Sequence, residues 1–302
     1  MIEAGLLDHP FDYIECLFIS ALQAPRESPL ERNQIHSVES ALAHVERRLA
    51  QGLNRWLVVA VNDHPGLDQL DDPNFCVVRF LEQASAQWTP DQVMLIADVG
   101  LSPYLASGHS VVLKEGLVDL ESSYQAAIRL ALRFAEAGAH YVAPCLSLPD
   151  QTSRLVEALR RKNLACGLMP YSTKFSSSLY GPYRSTVGSS LGFARKSYQF
   201  DFSDAEMALR QMDEDFRQGA EIAIVKPALP YLDVLQDACR RAGRPVAVYH
   251  VSGEYAMAMR AAKAGFLDPD AYFSEIHAAF ARCGARYAIG YAADYFLHCV
   301  SD

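Results

Sequence analysis

The chain of 302 residues lacks a CxxC pair, a GxGxxG fingerprint after an early strand, any block of like charge and any apolar run near the length of a membrane span. Each absence removes a class of function. Without a long apolar run, a membrane partner is not expected. Without the glycine fingerprint, a dinucleotide-binding open sheet loses its main support. Lysine and arginine number 27 against 36 aspartate and glutamate, so the net charge is −9, spread along the chain, which argues against a nucleic-acid partner. Seven cysteines (Cys16, Cys76, Cys145, Cys166, Cys239, Cys283 and Cys299) are odd in number and scattered. They suit reduced thiols in a cytoplasmic protein better than a disulfide framework. The opening MIEAGLLDHPFDY has neither a basic n-region nor an apolar h-region, so a secretory signal is not expected.

What is present is a repeating pattern. Half of the residues are hydrophobic, enough for one large core. Eight apolar, β-rich runs recur at 13–20, 56–61, 93–99, 140–145, 166–171, 221–226, 245–251 and 286–291. They are nearly continuously apolar, as strands buried on both faces should be. Amphipathic stretches lie between them at 38–51, 76–88, 121–137, 151–162, 204–218, 230–242 and 254–283. The alternation predicts an α/β fold, a (β/α)8 TIM barrel forming a single domain over 1–302 with a short N-terminal extension. A doubly wound open sheet is the alternative. Two connections are long, 100–120 after the third strand and 172–203 after the fifth. Long loops in a compact domain are usually functional or disordered. The second is rich in Ser and Gly but also carries aromatics and basic residues, and reads as a lid over an anionic ligand.

In such a barrel the C-terminal strand ends gather at one mouth. Here they are polar: Asp98 ends the third strand, Lys174 follows the fifth, Lys226 ends the sixth, His250 and Ser252 follow the seventh and Tyr291 ends the eighth. Two lysines at neighbouring strand ends point to amine catalysis. Lost hydration and a second ammonium nearby both lower a lysine pKa, and a neutral amine can attack a ketone to form a Schiff base. The bland alternative pairs each lysine with a rim carboxylate. Arg184, Arg195 and Lys196 in the lid could clamp a carboxylate; otherwise they form a solvated loop face. The stretch ADVGLSPYLASGHS (97–110) has the look of a metal or active-site loop, yet offers no cysteine and no carboxylate after Asp98.

Three motifs, MPYSTKFSSSLYGPYR (169–184), EIAIVKPALPYLDVL (221–235) and YHVSGEYAMAMRAAKAGF (249–266), closely resemble the porphobilinogen synthase (5-aminolevulinate dehydratase) family, with the resemblance running from about residue 13 to 295. It implies a (β/α)8 barrel lyase that condenses two 5-aminolevulinate molecules to a pyrrole in tetrapyrrole (heme) biosynthesis. By resemblance, Lys226 holds the substrate supplying the propionate side, Ser252 and Tyr291 bind its carboxylate, and Tyr249 lines the pocket. Lys174 holds the second substrate, Arg184, Arg195 and Gln199 take its carboxylate, and Tyr180 and Tyr183 help close the lid. Asp98 is kept.

The departures are equally specific. Zinc members of the family read DVCLCPYTSHGHC in the third-strand loop. The three ligand positions are here Gly100, Ser102 and Ser110, which are poor zinc donors, and His109 alone cannot replace them. No metal and no other cofactor is therefore expected. After the fourth strand the family reads APSDMMDGR and this chain APCLSLPDQ, so the active-site aspartate falls on Leu146 and the arginine on Gln151. Cys145 beside them reads as a small buried residue, with nucleophile or metal ligand the lesser option. Only about a dozen residues precede the first strand where the family has a longer arm, so a homo-oligomer, a dimer or a smaller assembly than an octamer, is expected. The expected partner is a small-molecule amino-keto acid. Two enzymes fit these features: a metal-independent porphobilinogen synthase-like lyase, and a divergent paralogue with a different second substrate or product in specialised metabolism. A non-catalytic aminolevulinate-binding homologue explains the paired lysines less well.

Overall fold

A computed structural model describes residues 11–62, 65–187 and 198–301. Eight parallel strands form the central ring: β1 (Asp12–Ile19), β2 (Arg55–Ala60), β3 (Met94–Val99), β4 (Tyr141–Pro144), β5 (Gly167–Leu168, resumed at Thr173–Lys174), β6 (Ala223–Lys226), β7 (Val246–Tyr249) and β8 (Tyr287–Gly290). Each pairs with its chain neighbour, and β8 pairs with β1, placing Ile289 beside Ile14. The ring closes at β5. Leu168 and Pro170 carbonyls accept from the Glu221 and Ile224 amides at 3.0 and 2.9 Å, and Lys174 stands in register with Lys226. The sheet is therefore the expected barrel rather than an open doubly wound sheet.

The apolar runs do not alternate because both faces of each strand are buried. Successive side chains point to opposite faces. Ile14, Phe18, Leu57, Val59, Ile96, Ile224 and Ile289 fill the barrel interior. Tyr13, Leu17, Trp56, Val58, Leu95, Val142, Val225 and Val248 pack outward under the helices. One strand thus feeds two cores, and its parity decides which side chains look into the barrel.

The outer layer is α1 (Val38–Leu49), α2 (Cys76–Gln87), α3 (Leu120–Glu136), α4 (Gln151–Arg161), a short α5 (Gly181–Thr186) within the lid, α6 (Ala205–Arg217), α7 (Leu232–Arg241), α8 (Ser252–Lys263), α9 (Pro269–Cys283) and α10 (Ala293–Ser301). Side-chain oxygens start several of them: Ser37 accepts from the Ser40 amide, Asp119 from Ser122 and Asp204 from Met207. The amphipathic stretch 254–283 is two helices. Gly265, at φ +75°, takes the chain out of helical conformation, and Asp268 with Pro269 starts the next helix, its carboxylate accepting from the Ala271 amide at 2.8 Å. The long loop after β3 carries a small hairpin, Leu113–Lys114 against Leu117–Val118.

Ile14 is fully buried at the centre of the inner core. Replacing it by alanine is expected to cost about 3 kcal/mol of unfolding free energy, read from urea denaturation. A loss under about 1 kcal/mol would show that the interior is not packed around it.

Candidate active site

The inward parity of the strands delivers most of the site. Ile96 faces the interior, so Asp98 does too, and the same step leads from Ile224 to Lys226, from Ala247 to Tyr249 and from Ile289 to Tyr291. Asp98, Lys174, Lys226, Tyr249, Ser252 and Tyr291 are all buried. His250 has the opposite parity. Its ring lies in the helix layer, 6.0 Å from Phe273 and 5.9 Å from Phe280. Burial draws its pKa down to about 3, with His277 adding to the effect, so it is a neutral packing residue and not part of the mouth.

Lys226 sits among aromatic rings. Its Nζ lies 4.0 Å from the Tyr249 ring centre, 4.7 Å from Tyr171, 5.3 Å from Tyr180 and 5.5 Å from Tyr183. The ring faces favour an ammonium, yet loss of water outweighs them: burial first, then the positive charge of Lys174, pulls Lys226 down to about 8 against the opposing influence of Cys145, Asp98 and Cys16. About a tenth of the amine is then neutral at pH 7, against well under a thousandth for a hydrated lysine. Lys174 donates to the Cys145 carbonyl at 3.0 Å and to its Sγ at 2.8 Å.

Asp98 accepts from the Tyr171 hydroxyl at 2.8 Å. Burial raises its pKa, and Lys226, Tyr171 and Lys174 pull against that rise. Tyr171 is a residue the sequence reading missed. It is the last inward-facing position of the fifth apolar run, and its ring also lies 5.8 Å from Lys174 Nζ. Glu254 was missed as well. Buried in the first turn of α8, it accepts from the Val251, Ala228 and Leu229 amides. It thereby ties the turn after Lys226 to the start of α8, and burial pushes its carboxyl up to about 7 despite those three donors. Cys16, inward on β1, is 3.0 Å from the Tyr249 hydroxyl, which is 3.0 Å from that of Tyr291.

The described part of the lid lies against Lys226 through Tyr180 and Tyr183. Tyr180 donates to the Phe175 carbonyl at 2.6 Å, and the Tyr183 amide donates to Ser252 Oγ at 2.9 Å. Ser252 therefore holds the lid. Gly253 lets the lid come close: a Cβ there would stand 2.8 Å from Leu179 Cα. Arg184 is buried on α5. Gln199 is buried where the chain returns beside Lys174, the Phe200 amide donating to the Lys174 carbonyl at 3.3 Å. Its amide makes no hydrogen bond to the described residues. Arg195, with Lys196, lies outside the described residues.

The loop after β3 is held by the end of the lid. The Tyr198 hydroxyl is 3.1 Å from His109 Nδ1 and accepts from the Ser110 amide at 3.2 Å. Gly100 offers no donor, and Ser102 and Ser110 are buried neutral hydroxyls. No three His, Cys, Asp or Glu side chains among the described residues could together hold a metal ion. This donor set does not fit a catalytic zinc. Leu146 is fully buried in the outer core, pointing away from the mouth.

Residues 9–299 match the family model described as delta-aminolevulinic acid dehydratase. Among curated relatives, the delta-aminolevulinic acid dehydratase of Eremothecium gossypii is 34% identical over 306 residues, covering 96% of this chain and 88% of its own. That of Methanothermobacter thermautotrophicus is 32% identical over 301 residues, covering 94% and 89%. The crystal structure of the Toxoplasma gondii delta-aminolevulinic acid dehydratase (porphobilinogen synthase), in complex with the reaction product porphobilinogen, superposes with a TM-score of 0.91 at 29% identity, covering 96% of this chain and 84% of that one.

Two outcomes are expected of this geometry. Competitive acetylation of Lys226 across pH should show a midpoint near 8, because only the neutral amine reacts. Lys174→Met removes a charge that lowers that value, so the midpoint should move up; an unmoved midpoint would show that the two amines do not interact. Gly253→Ala should displace the lid and speed tryptic cleavage at Arg184, whereas cleavage at the wild-type rate would show that the lid does not rest on this turn.

Proposed function

The chain belongs to the delta-aminolevulinic acid dehydratase family, and from that premise we propose that it condenses two 5-aminolevulinate molecules to porphobilinogen, releasing two waters, without a catalytic zinc. The observation that carries this reading is the pairing of Lys174 and Lys226 in one register at the buried barrel mouth. Two ketone substrates need two amines within reach of each other. A mere carboxylate binder needs neither.

Lys226, poised near neutrality, attacks the ketone of the molecule that supplies the propionate side. Tyr249 lines that pocket, and Ser252 and Tyr291 meet the carboxylate. Lys174 takes the second molecule, with Arg184, Arg195 and Gln199 at its carboxylate and Tyr180 and Tyr183 closing above. Asp98, its carboxyl raised by burial and accepting from Tyr171, whose ring borders both lysines, is placed to hold and release protons. No step is routed through a metal, since the loop after β3 supplies no suitable donors. The protein is read further as a single barrel domain over 1–302 and a cytoplasmic homo-oligomer, dimeric or larger. No described helix is long and apolar enough to cross a membrane.

A specific observation keeps a second reading in view. Leu146 stands where the family has an active-site aspartate and is fully buried away from the mouth. A changed proton path at the second lysine would suit a divergent paralogue that accepts a different second substrate. One experiment separates the two. Purified protein is incubated with 5-aminolevulinate, with and without chelator, pyrrole is assayed with Ehrlich reagent, and borohydride adducts are located by mass spectrometry. Chelator-resistant pyrrole is expected. An adduct at Lys226 without pyrrole would favour the paralogue, and no adduct at either lysine would sink both. Lys226→Ala should abolish the adduct at the first site.

A further inference from the structure

The end of β4 carries a departure from the family pattern that adds a reactive group where others remove one. The family motif has serine followed by aspartate, and this chain has Cys145 followed by Leu146. Cys145 shares the inward parity of Ala143 and is 8% exposed. Lys174 Nζ donates to its Sγ at 2.8 Å and to its carbonyl at 3.0 Å, so two contacts join the amine to Cys145. Gly100 contributes to the same spot. A Cβ placed on it would be 3.7 Å from Cys145 Cβ and 2.8 Å from an Asp98 carboxylate oxygen. The side chain that the family places on the loop is thus missing beside the place where this chain has put a thiol. Asp98 is engaged by Tyr171 at 2.8 Å.

We propose that Cys145 is the acid–base group of Lys174, a catalytic role that rests on the reading above in which Lys174 forms a Schiff base with the second substrate. A proton can pass between Lys174 Nζ and Cys145 Sγ, which lie 2.8 Å apart. With that proton on sulfur, the Lys174 lone pair attacks the ketone carbon, the N–C bond forms and the carbonyl π electrons pass to oxygen. A proton then moves from nitrogen to that oxygen, giving the neutral carbinolamine. The thiol delivers its proton to the carbinolamine hydroxyl, the C–O bond breaks, and water leaves as the nitrogen lone pair closes the iminium. Amine, ketone and thiol become iminium, water and thiolate, so atoms and charge balance without any further reagent. The reverse sequence releases the amine.

The test uses the full chain with 5-aminolevulinate and borohydride, and follows the adduct at each lysine separately. Cys145→Ala is expected to slow adduct formation at Lys174 by about a hundredfold while the Lys226 adduct forms at close to the wild-type rate, which also reports that the barrel is folded. Cys145→Ser, equal in shape but a much weaker acid, should show the same split. Iodoacetamide should alkylate Cys145 about tenfold more slowly in Lys174→Met, because the amine no longer takes the thiol proton. A Lys174 adduct at the wild-type rate in the alanine or serine variant, or unchanged alkylation in Lys174→Met, would overturn the role of Cys145 and leave the proposed reaction standing. Wild-type protein that forms no adduct at either lysine would overturn both.

Discussion

Lys174 and Lys226 are placed side by side by the strand ladder where the ring closes. Two ammonium ions in that position lose hydration together and repel one another, and at Lys226 both effects draw the pKa down. Much of the mouth can be read as a response to that constraint. Four tyrosine rings surround Lys226 Nζ, the Cys145 carbonyl and sulfur receive Lys174, and Asp98 lies near enough to both amines to influence their charge. Desolvation wins at Lys226, and the chemistry depends on that outcome: a fully hydrated lysine would stay protonated and could not attack a carbonyl.

Supporting parts act at one remove. Glu254 gathers three backbone amides from two segments and holds the turn that follows Lys226. Ser252, two residues earlier, accepts from the lid, and Gly253 between them leaves room for the lid backbone. The start of α8 therefore orders both the first lysine and its cover. The loop after β3 is joined to the far end of the lid through Tyr198.

Much of the barrel could be read in one dimension. Strand runs bounded by helical stretches reflect local burial on both faces, and seven of the eight runs became continuous strands within a few residues of the expected limits. The fifth run, 166–171, is strand only over Gly167–Leu168, and the ladder resumes beyond it at Thr173–Lys174; Pro170 between them cannot donate to it. The stretch 254–283 is amphipathic throughout because apolar spacing continues across Gly265, and the break there is set by backbone conformation and the cap at Asp268. At the site, strand-end position singled out Asp98, Lys226 and Tyr291, but equally offered His250. Parity separates them: His250 faces the helices, one step out of phase with Tyr249.

Residue order thus carried the fold class and the strand ends, because these depend on local polarity and on residue identity. It could not carry the contacts made around the ring. Tyr171 with Asp98, Cys145 with Lys174 and Glu254 with the turn after Lys226 each join segments whose approach is set by barrel closure. Whether a lysine is an amine or an ammonium, and whether a cysteine is filler or a proton partner, depends on distances and water exclusion that exist only once those segments meet.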